Sequence, residues 1–154
     1  MKLSELIQQE EFQSPSQEAL LNVVVTGSWI LSEMAAVMAP YGVTPAQYNV
    51  LRILQGNHPK TLTCSALGQR LLDRTPDVTR LLNRLERHDL ICRARAEHDR
   101  RVVEVGITEA GLALLERMRE AVEAAEQRLT GPLSPSDHQQ LCCLLERLRA
   151  DQQT

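Results

Sequence analysis

Aromatic side chains are nearly missing from this chain. Among 154 residues there are one Trp, two Tyr and one Phe. A core without rings must be aliphatic, and the 43% hydrophobic content, led by Leu with Val, Ile and Ala, suffices for one. That mixture favours helices. Lys and Arg are absent from residue 3 to residue 51. There is no Gly-rich phosphate loop, nucleophile elbow or metalloprotease motif, so no catalytic residue can be named and an enzyme is the least expected reading. Four cysteines (Cys64, Cys92, Cys142, Cys143) and four histidines (His58, His88, His98, His138) follow no zinc spacing, and no metal or other cofactor is expected. The opening MKLSELIQQEEF lacks the basic-then-apolar order of a secretory leader. No apolar run reads as long enough for a bilayer. The expected setting is cytoplasmic, without a membrane partner, and the thiols there are reduced.

What is present is unevenly distributed. The net charge of −3 argues against a nucleic-acid partner when taken alone. Yet residues 60–101 hold ten basic and six acidic residues, whereas the remainder holds seven basic and fourteen acidic. A basic lobe on an acidic body attracts phosphate locally without general stickiness. The alternative is a solvated charged face.

The chain length fits one domain with helical extensions. Leu3, Leu6 and Ile7 suit one face of a short first helix, which Ser14-Pro15-Ser16 breaks, with Ser16 expected to cap the next. From about Gln17 to Ala39 the pattern is helical and apolar all round, with Glu33 the one charge between Val23 and Met38. Such a helix must be covered on several sides, and a second subunit is the economical cover. Pro40-Tyr41-Gly42 ends it. Thr44-Pro45-Ala46-Gln47 is a capping signature for a helix to about Leu54.

Leu62 suits a short strand that pairs with the later wing. Thr63 caps a helix to about Asp73, with Leu67, Leu71 and Leu72 inward, and Thr75-Pro76 restarts the chain into a helix to about His88. Helix, short turn and capped helix form a helix-turn-helix. Val78, Leu81, Leu82 and Leu85 share its inner face; Asp77, Thr79, Arg80, Asn83, Arg84 and Arg87 lie away from it. Residues of those types reach base edges and phosphates. Asp89 suits a left-handed turn. Alternating runs Ile91–Ala96 and Val102–Ile107, joined by a tip with Asp99-Arg100-Arg101, form a hairpin. Thr108 caps a long helix to about Leu129, and Ser134-Pro135-Ser136-Asp137 opens a last one with Leu141, Leu144, Leu145 and Leu148 on its apolar face. The expected fold is therefore mainly α with a small β-wing: residues 1–43 and 108–154 dimerise, and residues 44–107 are a winged helix-turn-helix.

Short motifs occur in a telling order: Thr79-Arg80 with Leu85-Glu86, then Leu90-Ile91, Asp99-Arg100-Arg101, and Ile107-Thr108-Glu109-Ala110-Gly111. In this the chain resembles the MarR family of bacterial winged-helix repressors. The resemblance implies a homodimer on a pseudo-palindromic double-stranded operator. It places the recognition helix in the major groove and a wing Arg in the adjacent minor groove. It also implies relief of repression by a small, often aromatic, anion or by a thiol oxidant. The family often carries Gly where Asp89 stands, and its peroxide sensors carry a Cys in the first helix, where this chain has none.

Thr75, Asp77, Thr79, Arg80 and Arg84 are thus expected to face DNA, with the division between base and phosphate left open. Asp77 either supports the helix N-terminus or accepts from cytosine. Asp99 is expected to hold Arg101, which enters a narrow minor groove, while Arg93, Arg95 and Arg100 contact phosphate. The plainer reading of Asp99 and Arg101 is a surface ion pair. Trp29, Tyr41 and Tyr48 mark the expected effector crevice between the DNA lobe and the dimer helices. Cys64 is read as a quiet first-turn residue before a reactive one, and Cys142 and Cys143 as buried small hydrophobes before a redox or metal pair. The alternatives are a cysteine-based redox- or metal-responsive regulator and a winged-helix module that binds protein.

Overall fold

The computed structural model describes residues 1–72, 77–96, 99 and 101–150. Chain order is set largely by caps. The short α1 (Leu3–Ile7) ends on Gln8 in the left-handed region, with φ 54°. Ser14, not Ser16, caps α2 (Pro15–Met38), its hydroxyl accepting from the Gln17 amide at 3.2 Å. The reason lies in Pro15: its fixed φ suits the first helical position and holds the residue before it extended. A 3-10 turn, Ala39–Tyr41, and Gly42 at φ 74° then reverse the chain. Thr44 and Gln47 form the expected reciprocal capping box on α3 (Pro45–Asn57), which continues through Gly56 beyond the expected end.

β1 (Leu62–Thr63) leads into α4 (Cys64–Arg70), capped by the Thr63 hydroxyl. α4 stops three residues early. Leu71 is extended and buried, so Leu72 points the other way and is 89% exposed, against the expectation that it faces inward. The expected start at Thr75-Pro76 lies outside the described residues. α5 (Val78–Arg87) is capped by Asp77, whose Oδ1 accepts from the Arg80 amide at 3.2 Å. β2 (Ile91–Arg95) and β3 (Val103–Ile107) form the hairpin. The sheet order is β1-β3-β2, antiparallel throughout, with Leu62 opposite Val105 and Arg93 also opposite Val105. Thr108 caps α6 (Glu109–Thr130), and Ser134 caps α7 (Pro135–Arg149). The Asp137 carboxyl, bonded to the Ser134 hydroxyl and amide, sits below its ordinary pKa.

One aliphatic core runs from Met38 through Leu51, Leu54, Leu67, Leu82, Leu85 and Val105 to Met118 and Val122. It joins α3, α4, α5 and the sheet to the long helix α6. A 2.9 Å ion pair between Arg128 and Glu33 fastens α6 to α2. The C-terminal end of α2 packs on the core through Met34, Val37 and Met38, but elsewhere on α2 Leu20, Val24, Trp29 and Leu31 are exposed, as are Leu141, Leu144 and Leu148 on α7. By length and composition Pro15–Tyr41 is long and apolar enough to cross a bilayer, which corrects the expectation that no run is.

Candidate nucleic-acid interface

Position along α5 decides what each side chain faces. Leu82 and Leu85 are buried and Leu81 half-buried, which leaves Thr79, Arg80, Asn83, Arg84 and Arg87 on the exposed face. The side chain of Asp77 is engaged at the helix start, the first of the two roles open to it. Thr75 lies outside the described residues. Arg84 and Arg87 stand in the last turn, where cations complement the helix dipole.

The turn from α5 into the wing runs through Asp89 at φ 56°, a left-handed conformation that costs a residue with a Cβ about 1 kcal/mol. The Asp89 carbonyl accepts from the Thr108 hydroxyl at 2.6 Å, and the Leu90 carbonyl accepts from the Thr108 amide at 3.2 Å. One threonine thus caps α6 and anchors the wing root.

At the tip, the Asp99 carboxylate accepts from the backbone amide of Arg101 at 2.9 Å, and the Asp99 carbonyl accepts from the Val102 amide. Asp99 therefore orders the turn that presents Arg101 by holding its backbone. The exposed Arg101 side chain borders a groove of about 390 Å³ with Thr63, Ser65 and Val103. Arg100 lies outside the described residues. Arg95 is exposed near the end of β2.

Arg93 is differently placed. Its Nε donates to Glu86 Oε2 at 3.0 Å, its Nη2 donates to the same oxygen, and Nη2 also donates to Asn83 Oδ1 at 2.7 Å. The hydrogen-bonded guanidinium holds the Glu86 carboxyl below the usual glutamate range, and Glu86 in turn raises the Arg93 pKa. The wing sheet is thereby bonded to two successive turns of α5. Sequence reasoning missed this contact. The available signal was Asn83 and Glu86, three apart on one helix face, opposite an Arg at an inward strand position.

The three rings proposed for an effector meet different surroundings. Tyr48 borders a polar cavity of about 160 Å³ between α3 and α6 with Arg52, Arg119 and Glu126, and burial raises its phenol pKa. Tyr41 packs on the core and Trp29 is half-exposed on α2. A separate, apolar cavity of about 350 Å³ lies between Leu31 of α2, Pro45 and Ala46 of α3, Leu71 and Leu72, and Leu81 of α5. Cys64 is half-buried, and Cys92 donates to the Gly106 carbonyl at 3.7 Å. Cys142 and Cys143 are exposed rather than buried in the single chain, because α7 turns much of its surface outward.

Comparison with known proteins agrees with this architecture. The family model for the MarR family matches residues 41–102. A MarR transcription factor from Planctomyces limnophilus is 34% identical, with 88% of this chain and 98% of that chain covered and a TM-score of 0.69. The homoprotocatechuate degradative operon repressor of Escherichia coli is 27% identical over 120 residues, 78% of this chain and 80% of the relative. A variant of Escherichia coli MarR in complex with operator DNA is 25% identical, with 82% and 89% of the two chains covered and a TM-score of 0.74. A fold built around an exposed arginine-bearing helix beside a hairpin, shared across nearly the whole length of such a relative, places this chain in the MarR family of transcriptional regulators.

Proposed function

We propose that the chain is a homodimeric repressor that binds a pseudo-palindromic double-stranded operator and releases it when a small molecule binds. The observation that carries this is the outward face of α5, with Arg80 and Arg84 exposed, beside a wing that presents Arg101. Two copies related by a twofold axis put their recognition helices in major grooves about 34–36 Å apart. Arg80 and Arg84 meet base edges or phosphate, and Arg101, held by Asp99, enters the minor groove. Thr79 lies on the same exposed face. The exposed apolar face of α2 is covered by the second protomer rather than by lipid. The test is the salt dependence of affinity for duplex DNA. Each phosphate contact contributes about 0.9 to the slope of log affinity against log salt. Arg80→Ala with Arg101→Ala is expected to weaken binding at least about tenfold. Undiminished affinity in that double variant refutes the assignment.

The effector site is better placed in the apolar cavity than around Trp29, Tyr41 and Tyr48. Its occupant touches Leu31 on the dimer helix and Leu81 on the DNA-reading helix at once. Such a ligand relieves repression only if it prefers one spacing of the two readers. With phenol and benzoate as calorimetric probes, Ala46→Leu is expected to remove binding and Trp29→Ala to spare it. The opposite pattern returns the site to Trp29.

A further inference from the structure

We propose that Arg93 is a positioning residue: it clamps the wing to the recognition helix, and it does not contact phosphate. The inference rests on the DNA-binding reading above. The connection from α5 to β2 is three residues long, His88 to Leu90, and fixes only the root of the wing. Further out, the sheet needs another tie to keep a constant angle to α5. Arg93 supplies it from the middle of β2, one guanidinium reaching Glu86 and Asn83 on successive turns of the helix. Its strand partner Val105 is fully buried and also pairs with Leu62, so the tie passes from α5 through β2 and β3 to β1. The side chains of Arg93 and Glu86 are only 24% and 39% exposed. A phosphate would have to compete with a carboxylate that already takes two of the guanidinium N–H groups. Arg is suited to this place because its planar fork bonds two acceptors at fixed angles, which an ammonium cannot do.

Two variants separate a clamp from a contact, tested on a duplex that the wild-type protein selects from a random library. Glu86→Ala removes a negative charge near DNA and frees Arg93. If Arg93 were a phosphate ligand, binding would hold or tighten with the salt slope unchanged, because that contact is already counted in the wild type. As a clamp, the variant is expected to bind about tenfold more weakly, the scale set by losing charge-assisted hydrogen bonds. Arg93→Ala is expected to weaken binding similarly with its salt slope unchanged, whereas loss of a phosphate contact would make the slope shallower by about 0.9. The exchange Glu86→Arg with Arg93→Glu keeps the pair and is expected to recover most of the affinity, and it remains informative if a single variant folds poorly. Amide exchange in β2 and β3 gives a readout without DNA: faster exchange in both single variants supports the clamp, and unchanged exchange overturns it. If the wild-type protein ignores duplex DNA while both single variants exchange faster, the DNA reading is refuted and the clamp stands.

Discussion

A methyl group added to Gly111 would overlap the Leu90 carbonyl oxygen and stand 2.7 Å from Cγ1 of Ile107. The glycine is needed for close approach: the first turn of α6 lies directly on the wing root. Gly111→Ala should therefore destabilise the fold by about 1–3 kcal/mol, the usual cost of forced overpacking, although alanine is the better helix former. Urea denaturation checks this, and a gain in stability would contradict it. Gly111 belongs to the Ile107–Gly111 motif, so its presence was legible, but its cause was not. The Leu90 carbonyl is twenty-one positions away in the chain and meets it only through packing. Arg93 is similar. Strand alternation put it on the Ile91 face, but its partners Glu86 and Asn83 became visible only once β2 lay against α5. Asp89 was readable both as a turn and as a departure from a family glycine, and its φ of 56° agrees.

Elements were most legible where the chain marks its own starts. Thr44, Thr63, Thr108 and Ser134 all cap as their spacing implies, because a cap is a contact between residues two or three apart and needs no tertiary partner. Ends were less legible. α4 stops at Arg70 instead of Asp73, and α3 passes Gly56 to Asn57. A terminus depends on what the next segment packs against: Leu71 leaves the helix, lands in the core, and sends Leu72 outward. The Ser14 cap was displaced by two positions because proline outranked a second serine as the first helical residue. The alternation of both hairpin strands was visible in sequence. The exchange of partners that puts β3 between β1 and β2 was only half visible, through Leu62.

At the scale of the molecule, the long outward faces of α2 and α7 call for a partner. Leu144 and Leu148 are 58% and 57% exposed in the single chain. Burying a Leu side chain is worth about 1.5–3 kcal/mol, and a twofold interface counts each position twice. On the proposed reading as a twofold dimer on a palindromic operator, Leu144→Glu is expected to shift the dimer to monomer in light scattering and to cost operator affinity with it, since one protomer would span only half the site. A variant that stays dimeric would place the interface elsewhere. The clustering of basic residues between 60 and 101, the caps, and the apolar periodicities were determined by the sequence alone, because each is a relation among near neighbours in the chain. Only the tertiary structure decided that Arg93 faces a carboxylate, that Asp99 grips a backbone amide, that Gly111 must lack a side chain, and that Leu72 turns outward. Those are relations of distance across the fold, and a side chain's role follows from the charge and space it meets there.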